Sequence, residues 1–193
     1  GTLGIITQVT LKLQPLPPYK IDMLAIFHDQ MAAIGVVPQL VKAGIDPTSI
    51  EYMDNPNVRT TSEYLEFPGA PHIEDGIYVI ITIETFNEDE LDMKMEQASD
   101  ICEAAGAVDV LEADERIWSM RRNCLESVSL ISKVCTTDDV VVPVDEMSDM
   151  IQYIIKTVAK YPFPLRINAH IGDGNLHIVL CTLDLSDEEW ESE

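Results

Sequence analysis

Positive charge is what this sequence has least of. Lysine and arginine together number 12 against 34 aspartates and glutamates, a formal net charge of -22 at pH 7. So acidic a surface repels phosphate backbones and anionic lipid headgroups, which argues against a nucleic-acid partner and against electrostatic docking on a membrane. An anionic small molecule is still admissible where a local cation overrides the field. Clustered cysteine is missing too: Cys102, Cys124, Cys135 and Cys181 show no C-x-x-C or other ligand spacing. They read as buried free thiols of a reducing compartment, so the expected location is the cytosol. No apolar run is long enough to span a bilayer and no signal-peptide pattern is visible, although a chain that starts at Gly1 leaves room for a removed leader. What the sequence does have is 46% apolar residues over 193, enough to bury a real core.

Residues 6–13 alternate apolar and polar and run into Pro15, Pro17 and Pro18, the pattern of a strand entering a proline-rich linker. No partner strand precedes it, so it reads as the last strand of an upstream domain. A regular order follows: a strand at 21–27, a helix at 29–43 with a break expected at Pro38 and a stop at Gly44, and a strand at 48–53. A turn-rich stretch with a short helix around Val58–Leu65 leads to the β-branched strand 77–85. Asn87, with Glu90 three residues on, caps a helix whose stripe is Leu91, Met95, Ala98, Cys102 and Ala105, and a short strand at 107–111 follows. The order β-α-β-β-α-β is that of the ferredoxin-like split unit.

After a helix at 114–130 the order starts again. A strand at 140–142 comes first, then a helix capped by Asp145 with Met147, Met150, Ile151, Ile154, Ile155 and Val158 inward, and strands at 165–170 and 176–183. A further helix begins at Ser186 or Asp187. The expected fold class is therefore α+β, with duplicated ferredoxin-like (βαββαβ) units, the second truncated at the C-terminus. Residues 1–18 form the strand and linker, and 19–193 form the incomplete main domain.

Two places could carry chemistry. The octapeptide HIGDGNLH, residues 170–177, has the Asp-Gly signature of a tight hairpin. A type I′ turn centred between Asp173 and Gly174 sets His170 opposite His177, close enough for both imidazoles to reach one metal ion. Slippage by one residue would put them on opposite faces. A metal pair and a cross-strand pair of structural histidines both fit this pattern. In the helix, Trp118, Arg121, Leu125 and Val128 are spaced by three and four, so Arg121 points inward while Arg122 faces solvent. An inward arginine can grip a substrate carboxylate with two nitrogens, or pair with a structural carboxylate. His28 and His72 receive no role.

Taken in order, GTLGIITQVTLKLQPLP, SIEYMDN, the W-x-x-R of Trp118 to Arg121, VVVPVDEM and H-x-G-D-G-N-x-H resemble the FAD-linked oxidase family. This is the glycolate oxidase, D-lactate dehydrogenase and D-2-hydroxyglutarate dehydrogenase group of the vanillyl-alcohol-oxidase-type flavoproteins. The resemblance implies a substrate-binding cap domain built from a duplicated ferredoxin-like unit, residues 1–18 being the end of an upstream FAD-binding domain. It implies that His170 and His177 ligate a divalent metal such as zinc, and that Arg121 holds the carboxylate of a small 2-hydroxy acid. Gly1, Thr2, Gly4 and Ile6 would lie against FAD. The implied reaction moves the α-hydrogen to FAD as hydride while the hydroxyl, polarised by the metal, loses its proton. Implied partners are a second copy of the enzyme or an iron-sulfur electron-acceptor subunit, in a cytoplasmic complex with peripheral membrane association. The family's Glu-His motif, third metal ligand and catalytic base, has no counterpart before Glu193, so no catalytic residue is expected in this chain and the isolated fragment should be inactive. A lysine found in some relatives is replaced by Thr137. The alternative to the enzyme reading is a non-enzymatic ferredoxin-like metal-binding or interaction domain.

Overall fold

A computed structural model describes residues 2–182; Gly1, Leu183 and the helix start expected at Ser186 or Asp187 lie outside the described residues. The described chain is one seven-stranded antiparallel sheet with six α-helices. Its elements are β1 (Tyr19–Phe27), α1 (Gln30–Lys42), β2 (Ser49–Met53), α2 (Asn55–Tyr64), β3 (Ile77–Thr85), α3 (Glu88–Ala104) and β4 (Asp109–Glu112). There follow α4 (Glu115–Arg122), α5 (Cys124–Ser127), β5 (Cys135–Val141), α6 (Met147–Val158), β6 (Leu165–His170) and β7 (Asn175–Cys181). The strand order is β4-β1-β3-β2-β6-β7-β5.

The two-residue period of a strand explains the layers. On one face Met23, Ala25, Phe27, Val79, Ile81 and Ile83 pack beneath α1, α3 and α6 in a continuous core. On the other face Leu24, Ile26, Met53, Tyr78 and Ile80 pack against Val58, Ile117 and Met120 of α2 and α4. Covered on both sides, β3 reads as an unbroken apolar run rather than an alternating one. This second layer thins over β6, β7 and β5, where the same sheet face carries polar side chains. The candidate site lies there.

The junction of β2 with β6 is held by Asp54. It caps α2 by accepting from the Asn57 N–H at 2.9 Å and accepts from the Ile167 N–H at 2.6 Å. Burial pushes its carboxyl up to about 6, against those two hydrogen bonds and the Arg166 charge, which favour the ionised form.

Several expectations change. Residues 6–13, expected as a strand of an upstream domain, have no strand partner among the described residues, and Ile6, Val9, Leu11 and Leu13 stand exposed. The helix runs through Pro38: Ile34, Val37 and Leu40 are buried around it and hold α1 to the sheet despite the lost N–H. The helix expected over 114–130 breaks at Asn123, which leaves Leu125 exposed while Arg121 and Val128 are buried. Strand β5 starts earlier, at Cys135, and that thiol is exposed at the sheet edge while the other three are buried. Asp145 does not cap; it sits within the 3-10 turn Val144–Glu146 ahead of α6.

Candidate functional site

The hairpin closes differently from its sequence pattern. His170 pairs with Asn175 and Asn168 with His177, so four residues, 171–174, make the turn. Contacts outside the hairpin set this register. Gly172 N–H donates to Ile50 O at 3.2 Å, hooking the turn onto β2, while Asp173 N–H closes on His170 O at 3.0 Å. The expected opposition of His170 and His177 is thus displaced by two residues. Two is the strand period, so both rings keep the same face and meet diagonally, their centroids 5.1 Å apart and their planes at 84°.

Each histidine is backed by the carboxylate directly across from it on its other neighbour. Glu51 of β2 is the register partner of His170, and its Oε2 lies 2.8 Å from His170 Nδ1. Asp139 of β5 is the register partner of His177, and its Oδ1 lies 3.1 Å from His177 Nδ1. A carboxylate at Nδ1 fixes the proton there and leaves the Nε2 lone pair of each ring for a ligand. Each residue could thus offer Nε2 to a ligand, and a carboxylate behind the ring is an arrangement that metal-binding histidines also use.

Arg121 enters from α4. Its Nη2 lies 2.8 Å from Glu51 Oε2, and its Nη1 donates to Asn168 Oδ1 at 3.2 Å. Both side chains of the Arg121–Glu51 pair are only 10% exposed. The inward direction expected of Arg121 is realised, and its first partner is a carboxylate of the protein. Its Nε has no hydrogen-bond partner among the described residues, a buried donor left over for a ligand. Arg122 faces outward and pairs with Glu115. A cleft of about 190 Å³ opens beside these groups, lined by Arg121, Thr137, Asn168, His177 and Val179. Thr2, Gly4 and Ile6 lie elsewhere, on the exposed segment before β1, where a Cβ added at Gly4 would meet nothing within 4 Å; Gly1 is outside the described residues. These residues by themselves enclose no flavin.

Glu51, Asp139 and Asn168 were not singled out by sequence. Glu51 did leave a signal, a lone carboxylate among the buried residues of SIEYM. The other two depend on strand neighbours that no local pattern reveals.

Burial holds His177 below its ordinary 6.5, aided by the nearby His170 and Arg121 and opposed by Asp139 and Glu51. The folded state thus disfavours the imidazolium. His177 costs no stability above 6.5 and weakens the fold as pH falls below it, since the unfolded chain binds that proton more readily. An NMR titration of the metal-free chain is expected to give His177 a midpoint below 6.5, and lower again in Asp139→Asn. A midpoint at or above 6.5 would contradict this electrostatic account.

The sequence profile of the family described as FAD linked oxidases, C-terminal domain, matches residues 16–193. The chain belongs to that family. It is 32% identical over 202 residues to a D-lactate dehydrogenase of Anaerostipes hadrus, covering 100% of this chain and 42% of that protein. It is 31% identical over 194 residues to the glycolate oxidase subunit GlcD of Bacillus subtilis (strain 168), covering 98% of this chain and 40% of that protein. The FAD-linked oxidase domain seen here thus spans about two fifths of the curated relatives it matches. Among solved structures, an alkyldihydroxyacetonephosphate synthase superposes with a TM-score of 0.66 at 17% identity, over 95% of this chain and 40% of that one. At that identity the likeness concerns the fold. No helix among the described residues is long and apolar enough to cross a membrane.

Proposed function

We propose that this domain is the substrate-binding cap of an FAD-dependent dehydrogenase or oxidase of small 2-hydroxy acids, of the glycolate, D-lactate or D-2-hydroxyglutarate class. The observation that carries the reading is the paired imidazoles, each backed at Nδ1 by a carboxylate, beside a buried arginine with a spare donor. In this reading His170 and His177 hold a divalent metal, zinc or similar, through Nε2. When bound, that ion would lower the pKa of the substrate hydroxyl as a Lewis acid, and FAD in the full-length protein would accept the hydride. Arg121 binds the substrate carboxylate through its unpaired Nε while Glu51, on Nη2, fixes its guanidinium plane. Thr137 and Val179 bound the side-chain end of the substrate, and the narrow cleft suits a small acid. Glu51 thus serves both halves, orienting His170 on one side and Arg121 on the other.

The same proposal covers the architecture. Strands β4-β1-β3-β2 and β5-β7-β6 run in corresponding orders from the two outer edges of the sheet, as expected if 19–193 holds two copies of the ferredoxin-like unit joined along β2 and β6. Residues 1–18 then pack as the final strand and linker of an FAD-binding domain. The row of apolar side chains from Leu3 to Leu16 supports this, since an exposed row of that kind needs a surface to cover it.

The test uses the full-length parent protein. It should be yellow, contain one metal per chain at this site, and reduce an artificial electron acceptor with one of the three acids. His170→Ala should keep the flavin, lose that metal and lose turnover by about 100-fold or more. A colourless parent protein, or His170→Ala with unchanged turnover, overturns the proposal.

A further inference from the structure

We propose a second divalent-cation site, separate from the hairpin histidines, formed by His28, His72 and Asp75. His28 follows β1, while His72 and Asp75 belong to the turn before β3. The pairing of Phe27 with Ile77 draws these segments together. One donor atom from each of the three residues lies within 4.8 Å of the others. His28 Nε2 and Asp75 Oδ1 are 3.4 Å apart, and the two imidazole centroids are 5.9 Å apart. A charged N–H···O bond is shorter, about 2.7–2.9 Å. A separation of about 3.4 Å is instead the edge of a tetrahedron around a zinc-sized ion with ligands at about 2.1 Å. Asp109, at the start of β4, places a second carboxylate 3.6 Å from His72 Nε2.

The turn that carries two of the three groups is fixed from several sides. Tyr78 Oη donates to Pro71 O, and Asn55 Nδ2 donates to both Ile73 O and Gly76 O at 3.1 Å. Gly76 N–H donates to His72 O at 2.7 Å, an approach so close that a Cβ at Gly76 would stand 2.6 Å from that oxygen. His72 itself is held at φ 46, a left-handed conformation that disfavours most side chains. A turn so constrained loses little entropy on binding an ion, which favours affinity. Two nitrogen donors and a carboxylate suit zinc, nickel or cobalt rather than magnesium or calcium, which prefer oxygen alone. The net negative charge raises the concentration of cations around the whole chain, this corner included. A bound ion would staple the end of β1 to the turn before β3.

The hairpin pair must be removed to read this site alone. In a chain carrying His170→Ala and His177→Ala, zinc titrated by calorimetry is expected to bind with one equivalent, and adding His28→Ala or His72→Asn should weaken it at least about 10-fold. Asparagine tolerates the left-handed backbone of His72, and His28 is exposed, so neither change threatens the fold. NMR of the imidazole nitrogens supplies the second readout in the wild-type chain, whose four histidines give a resolvable set. Zinc should shift the His28 and His72 rings together. No saturable zinc binding in the chain lacking the hairpin histidines, or zinc that perturbs His170 and His177 alone, overturns the site. Neither result counts against the flavin-dependent reading, whose metal sits on His170 and His177.

Discussion

Replacing Arg121 with alanine is expected to cost about 3–5 kcal/mol of stability, the range for removing one partner of a buried ion pair. Glu51 is the reason. Its carboxylate is nine-tenths buried and shared between Arg121 Nη2 and His170 Nδ1. Without the guanidinium it would face the interior with His170 as its remaining charge partner among the described residues, and Asn168 Oδ1 would lose its donor. Arginine's packing against the α4 side of the sheet goes as well. The paired replacement Arg121→Met with Glu51→Leu should recover most of the loss, since breaking a buried pair costs far more than exchanging it for apolar groups of similar volume. Denaturant unfolding of Arg121→Ala, and of the wild type, Arg121→Met, Glu51→Leu and their double variant as a cycle that gives the coupling, checks this. A single-variant cost below about 1 kcal/mol would mean that the pair behaves as a solvated surface bridge. It would also remove Glu51 as the group that fixes Arg121 for a substrate carboxylate.

How much of this was legible beforehand depended on whether the signal was local. Asn87 and Glu90 announce the start of α3, and the Asn87 side chain does accept from the Glu90 N–H at 3.1 Å. The unbroken β-branched run 77–85 and the periodic stripe on α6 are local signals that the sheet and helix obey. Strand β5 was cut short because CTTDDVV lies at an exposed sheet edge, where polar residues leave no alternation to detect. The passage through Pro38 is decided by packing, which outweighs propensity, and the break at Asn123 carries no local signal. Within the site, His170, His177 and Arg121 could be named from spacing. Their partners could not: Glu51 stands 119 residues from His170, and only the pairing of β2 with β6 makes them neighbours. The hairpin register was missed for the same reason, because Ile50 and Val142 fix the turn from outside it.

Gly174→Ala should be as damaging as the loss of Arg121, at about 3 kcal/mol or more, and through backbone alone. Gly174 has φ 77, where an alanine costs about 1 kcal/mol or more for its Cβ. The larger part is steric. A Cβ at this position would stand 1.9 Å from Val142 O, a main-chain atom that no rotamer change can move aside. Relief requires the end of β5 to shift, yet that end is tied to the turn by Val142 N–H donating to Gly174 O at 3.0 Å. Asp139 lies three residues before Val142, within β5, and backs His177, so a displaced β5 also loosens one of the two imidazoles. Gly172→Ala is the matched control. Its Cβ would meet Ile50 N at 3.4 Å, ordinary contact, and the change should cost well under half as much. Equilibrium unfolding separates the two substitutions, and hydrogen exchange at the Val142 amide should accelerate only in Gly174→Ala. Were both glycines equally tolerant, the turn would not be set by its contact with β5, and the shared face of the two histidines would need another cause.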